Sequence, residues 1–192
     1  MKSNSFLIWL LLIAMSVTSH HLVSAQNTVL VKVLDLNGNP LPNAYVVAFQ
    51  SDSEIINGYT DDEGAIVGSL VSNSTIHILV YYEGLKIGDF RLPPSSVVTL
   101  KCSVIPFAVK VTNYEGKPIE NALVKFSWYI YGWRYQQALT NEEGFAYFRL
   151  PLSTYYLSIK KTIGDNELEL LTDVVRINSS TQMLLCALDL YD

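Results

Sequence analysis

Side chains that could do chemistry are few in this chain of 192 residues, and they do not converge. Of its three His, His20 and His21 fall within the first 25 residues, which leader cleavage would remove, and His77 stands alone between Ile76 and Ile78. Nucleophilic catalysis needs a base held beside a Ser or Cys, and a zinc site needs several ligands, so a single His supplies neither. His77 is expected as a strand residue with its ring in solvent. Asp61, Asp62 and Glu63, and further on Glu142 and Glu143, carry hard oxygens suited to Ca²⁺. Calcium takes about six to eight oxygen ligands, and a hairpin tip with two or three acids supplies too few. The expectation is a protein that is not an enzyme, with no catalytic residues, metal or cofactor.

Three other groups could carry function. Asn73-Ser74-Thr75 and Asn178-Ser179-Ser180 are N-x-[ST] acceptors, which makes Asn73 and Asn178 candidate glycosylation sites in an exported chain. Cys102 and Cys186 are the two thiols. The densest group is the run Trp128-Tyr129-Ile130-Tyr131-Gly132-Trp133-Arg134-Tyr135. With Tyr131-Gly132 as a two-residue turn, Ile130 faces Trp133, Tyr129 faces Arg134 and Trp128 faces Tyr135. Alternation then places Trp128, Ile130, Trp133 and Tyr135 on one face and Tyr129 with Arg134 on the other, where a cation–π contact is expected. Such a hairpin should overhang its sheet. An uncovered aromatic face of this kind suits a protein interface, and aromatics beside an Arg also suit sugar rings. Trp128, Tyr129, Trp133, Arg134 and Tyr135 are therefore the candidate contact residues for a partner.

The elements that must position these groups begin after a leader. Met1–Ala25 has one cation at Lys2, a largely apolar run from Phe6 to Val17, and the small-residue ending Val23-Ser24-Ala25. This is the layout of a secretory signal peptide, and the run is too short for the ~20 residues of a spanning helix. The mature chain is expected to start at Gln26, to be secreted or held at the cell surface, and not to insert in a membrane. The leader holds one of the 13 basic residues and none of the 18 acidic ones, so its removal takes the net charge from −5 to −6. That balance argues against nucleic acid and anionic membrane as partners.

Beyond the leader the chain repeats itself. Val31-Lys32-Val33 followed by Gly38-Asn39-Pro40-Leu41-Pro42-Asn43-Ala44-Tyr45-Val46 returns, 78 positions on, as Val109-Lys110-Val111 followed by Gly116-Lys117-Pro118-Ile119-Glu120-Asn121-Ala122-Leu123-Val124. Thr60-Asp61-Asp62-Glu63-Gly64 returns as Thr140-Asn141-Glu142-Glu143-Gly144, 80 positions on. Two copies of one unit imply two domains, 26–105 and 106–192, with Pro106 expected to end the first ladder. The clear segments (29–34, 44–49, 76–82, 97–100, 107–111, 123–130 and 155–159) are alternating or rich in β-branched and aromatic residues, and turn residues separate them at sandwich spacing. Almost no helix is expected. Aligning Ser95–Cys102 with Ser179–Cys186 puts each thiol at one place on the last strand of its own half, pointing into the core, so no disulfide is expected.

The pattern V-K-V…G-x-P-[LI]-x-N-A-x-V…T-[DN]-x-E-G resembles the carboxypeptidase-regulatory-like family, kin of the Cna-B and transthyretin-like modules, and covers nearly all of 29–190 as two copies. The resemblance implies an all-β protein of two tandem Ig-like (prealbumin-like) Greek-key β-sandwiches. It implies a secreted or cell-surface structural or adhesion protein whose partners are other surface proteins or its own copies. The alternative is an accessory module for carbohydrate or peptide serving a partner enzyme. The family's shared residues make turns and core, so no active site comes with it. A purine-pathway hydrolase among the transthyretin-like folds relies on several His and a C-terminal Tyr-Arg-Gly-Ser, and this chain ends Leu188-Asp189-Leu190-Tyr191-Asp192. In Cna-B pilins a first-strand Lys joins a last-strand Asn with the help of a buried acid. Here Lys32 alternates outward and 155–160 has no acid at the family's position, so no such cross-link is expected.

Overall fold

The computed structural model describes residues 28–178 and 183–188. The expected leader lies outside the described residues. Fourteen strands run through them and no helix: β1 (Thr28–Leu34), β2 (Tyr45–Gln50), β3 (Ser53–Tyr59), β4 (Ala65–Ser69), β5 (Ile76–Tyr82), β6 (Leu85–Leu92) and β7 (Val97–Lys101), then β8 (Val104–Asn113), β9 (Ala122–Tyr129), β10 (Trp133–Leu139), β11 (Phe145–Pro151), β12 (Thr154–Ile163), β13 (Asn166–Arg176) and β14 (Met183–Leu188). The first seven form sheets β4-β1-β7 and β3-β2-β5-β6, and the last seven repeat the plan as β11-β8-β14 and β10-β9-β12-β13. In each half the first strand pairs antiparallel with the fourth and parallel with the seventh. The protein is thus all-β, two successive sandwiches, each closed around its own cluster of buried residues.

The repeated markers are the turns that impose this plan. Asn43 and Asn121 sit at φ 59° and 56°, a left-handed conformation that Asn tolerates better than most residues. They deliver Ala44 and Ala122, whose N–H groups donate to the Thr60 and Thr140 hydroxyls at 2.9 and 2.8 Å. Those hydroxyls in turn donate to the Leu41 and Ile119 carbonyls at 2.7 Å in both copies. A buried Thr at this place stitches three segments together, which explains why it recurs. Gly64 and Gly144 take φ 70° and 80°, and an added Cβ would lie 2.6 Å from the Val33 carbonyl oxygen or 2.5 Å from that of Val111. Only Gly fits so close to a neighbouring backbone.

Two expectations are corrected. Pro106 does not end a ladder: it lies inside β8, opposite Arg149 of β11. Proline lacks an N–H, and β14 pairs with β8 only from Ala108 onward among the described residues, so no partner on that side is deprived. The thiols are not at equivalent places either. Val33 pairs with Leu100, whereas its counterpart Val111 pairs with Cys186, so Cys102 lies two residues further along its half. Both thiols are free and buried, Cys102 in the first core and Cys186 in the second.

The halves meet without a loose linker. Val104 belongs to the first core and Ile105 to the second. Leu36 N donates to Val104 O at 2.9 Å, and Leu152 N to Ser103 O at 2.8 Å. Leu36 and Leu85 of the first half pack against the second core. Arg149 Nη1 donates to the Pro40 carbonyl at 2.8 Å, with Nη2 3.9 Å from the fully buried Asp35 carboxylate. Asp35 also accepts from the N–H groups of Asn37 and Asn39, a turn that Asn113 reproduces in the second half without a charge.

Candidate functional site

The β9–β10 hairpin is where the two halves differ most in sequence. Counting inward from Ala122 sends Val124, Phe126 and Trp128 into the core, because side chains alternate between faces. Trp128 is 3% exposed and packs edge-on against Tyr155 at 5.5 Å. It is core, not contact surface, which corrects the face expected for it. Among the described residues its indole Nε1 has no hydrogen-bond partner.

The physical reason is the turn. The loop is three residues, Ile130 to Gly132, with Ile130 N donating to Gly132 O at 2.9 Å and Tyr131 at φ 50°. Trp133 therefore pairs with Tyr129, Arg134 with Trp128, and Tyr135 with Ser127. One residue of slip exchanges the faces. Tyr129, Trp133 and Tyr135 share the outer face, while Arg134 falls on the other, so the Tyr129–Arg134 contact does not form. Instead Tyr129 and Tyr156 both meet Trp133 edge-on, at 5.8 and 5.5 Å, and the Lys125 ammonium sits 4.3 Å from the centre of the Tyr135 ring. Trp133 is 63% exposed and Tyr135 56%, and Tyr129, Tyr131 and Tyr156 are also exposed. Tyr156, on the neighbouring β12, completes the cluster, and sequence reasoning missed it because its approach depends on strand pairing.

The remaining candidates are scattered. His77 Nε2 lies 2.8 Å from Asp89 Oδ1, and Lys86 Nζ 3.0 Å from Asp89 Oδ2. These hydrogen bonds, His77 first and then Lys86, hold the exposed Asp89 carboxyl below its usual range. Asp61 accepts from the N–H groups of Glu63 and Ala65, so its carboxylate serves the turn. Among the described residues no group of three or more His, Cys, Asp or Glu is placed to hold a metal ion. Lys32 is exposed. Asn73 is exposed in the β4–β5 loop and Asn178 is exposed after β13; Ser179 and Ser180 lie outside the described residues. No helix among the described residues is long and apolar enough to cross a membrane.

No family model matches the chain, and no curated protein matches it significantly. Among solved structures, the chain is similar to the shaft pilin SpaA of Lactobacillus rhamnosus GG, with TM-score 0.37 and 12% identity over 85% of this chain and 98% of that one. It is similar to the minor pilin of Streptococcus agalactiae, with TM-score 0.36 and 12% identity over 85% and 97%. Similarity to the Bacillus anthracis TIE protein has TM-score 0.35 and 18% identity over 84% of this chain; it spans about a third, 33%, of that protein.

Proposed function

We propose that this protein is a secreted or cell-surface, non-enzymatic structural or adhesion protein. In this reading a leader, 1–25, precedes two repeated modules of the carboxypeptidase-regulatory-like, Cna-B and transthyretin-like kind, 26–105 and 106–192. Glycans are carried on Asn73 and Asn178. The observation that carries the reading is the outer face of the second sandwich, where Tyr129, Trp133 and Tyr156 form an exposed aromatic cluster beside Tyr135. Those side chains are not needed to fill a core, and large uncovered apolar surface marks interaction sites. Strand-rich modules held by backbone bonds across their junction also suit a load-bearing or spacing role.

The partner proposed for that face is a second copy of the chain. Lys125, held over Tyr135, keeps a charge at the patch edge, the usual polar rim of an interface. The test replaces Trp133 and Tyr135 together by Ser and measures mass in solution by light scattering, with thermal melting alongside. The melting temperature is expected to stay nearly unchanged while self-association weakens at least tenfold. A large loss of stability with unaltered association would assign the rings to folding instead.

A further inference from the structure

The strongest unassigned feature is the cleft on the opposite face of the same hairpin. It has a volume of about 450 Å³ and is lined by Asn43, Tyr45, Tyr59, Tyr81, Glu83 and Arg134. The three tyrosines stand side by side on adjacent strands: Tyr45 of β2 pairs with Tyr59 of β3 and with Tyr81 of β5. Their rings tilt toward one another, Tyr45 to Tyr59 at 5.1 Å and Tyr45 to Tyr81 at 6.3 Å. The Tyr45 hydroxyl donates to Asn57 Oδ1 at 2.6 Å, which fixes the central ring. Arg134 reaches this cleft from the second half because the three-residue loop turns it away from the Trp133 face.

The fold does not require these residues. At the same register positions the second copy has Leu123, paired with Leu139 and with Lys160. Glu83 sits at φ 51° in the turn before Gly84, where Asn or Asp is the usual residue, so an acid has been placed at the mouth despite a backbone cost. No salt bridge joins Glu83 and Arg134 to each other or to another described group. The cleft therefore presents apolar ring faces surrounded by uncommitted donors and acceptors of balanced charge. Backbone bonds at the junction and the Arg149–Pro40 bond tie together the two halves that supply its walls.

We propose that this cleft binds a pyranose unit of a neutral oligosaccharide. A pyranose has an apolar C–H face, which suits the Tyr rings, and a girdle of hydroxyls that each donate and accept, which suits Glu83, Arg134 and the amide of Asn43. The volume falls within the roughly 300–1,000 Å³ of small-ligand sites. One acid and one Arg line the cleft, and this balance suits a ligand without net charge. The proposal is independent of self-association through the Trp133 face.

The test uses the full mature chain on an array of neutral oligosaccharides of glucose, galactose, mannose and N-acetylglucosamine, followed by calorimetric titration of the best binder and of decaproline. The key variant, Tyr59→Leu with Tyr81→Lys, installs the residues of the second copy; Arg134→Ala is the second variant, and Trp133→Ser the control. Binding of at least one neutral oligosaccharide is expected. The double variant should weaken it at least tenfold and Arg134→Ala several-fold, with an unchanged melting temperature and no effect of Trp133→Ser. The proposal is overturned if no neutral oligosaccharide binds, if binding survives the double variant, or if decaproline binds in place of sugar.

Discussion

The two halves share the repeated Asn-Ala, Thr and Gly turns and most of their pairing register, yet they fill their interiors differently. Where the first has Ala48, Gln50 and Ile76, the second has Phe126, Trp128 and Tyr155 at the same register. The aromatics interlock edge-on, Phe126 against Phe107, Phe148 and Tyr155. One exchange is compensated across strands. In the first half Gly68 leaves room for Ile56, which an added Cβ would meet at 2.3 Å. In the second, Phe148 takes the place of Gly68 while Gln136 takes that of Ile56 and turns its amide to the Arg149 carbonyl, at 3.2 Å. Cores tolerate such exchanges when total volume and pattern are kept. The fold is thus held by turn chemistry and register, and interior identity drifts around it.

The sharpest break of that comparison is made at the shared turns. Gly64→Ala and Gly144→Ala should each cost about 2–3 kcal/mol, because each combines a strained positive φ with a backbone clash. Gly38→Ala, at φ 88° with nothing within 4 Å of the added Cβ, should cost about 1 kcal/mol from strain alone. Urea unfolding measures all three. Equal costs at Gly64 and Gly144 would sustain the equivalence of the halves, and a cost at one alone would break it.

A smaller effect separates the halves at one shared position. Gln50 is buried, and its amide accepts from Val71 N and Ser72 N and donates to Ser72 O and Ser74 O. Gln50→Leu leaves those loop groups unpaired and should cost about 2 kcal/mol. Trp128, its counterpart, has an unpartnered Nε1 among the described residues. Trp128→Phe removes that N–H at the expense of some ring volume, so its cost should fall within about 1 kcal/mol of zero. Chemical denaturation of both variants reads the contrast, and a Trp128→Phe loss as large as that of Gln50→Leu would refute it.

Much of this was legible before any coordinates. The markers at Asn43, Thr60 and Gly64 and their later copies are turn chemistry, which acts locally, so the sequence displays it directly. What was not legible depends on pairing between distant segments. The phase of β9 could have been found by counting in twos from Ala122, but the pull of Tyr131-Gly132 as a two-residue turn concealed it. Strand β13 went unnoticed because Glu167, Glu169 and Asp173 give an exposed edge strand the look of a loop. The offset of the thiols follows from parallel pairing of β14 with β8, which no local signal encodes. The Tyr45, Tyr59 and Tyr81 row is assembled from three strands and appears only once their register is known.

The smallest expected effect is on a labelling rate and concerns the seam between the sheets of each sandwich. Phe90, opposite Ile78, packs against the first core; its counterpart opposite Leu157 is Asp173. An acid cannot plug an apolar seam, and a cavity of about 220 Å³ opens there, lined by Leu157, Leu171, Val175, Leu184 and Cys186. Burial pushes the Cys102 thiol up to about 12, while burial and then the nearby Asp173 charge push Cys186 up to about 11. Both folded values lie above the unfolded ~8.5, so the stability these thiols contribute is complete below that pH and is lost as pH rises toward 11 and then 12. The thiolate is the reactive form, so native protein at pH 9 should be alkylated at Cys186 before Cys102, as peptide mass mapping would record. Two substitutions at one residue should act in opposite directions. Asp173→Asn removes the repelling charge and should speed labelling of Cys186 several-fold, whereas Asp173→Phe fills the seam as in the first half and should slow it. If Cys102 reacts first, or if both variants shift the rate the same way, the difference between the seams does not govern the thiol.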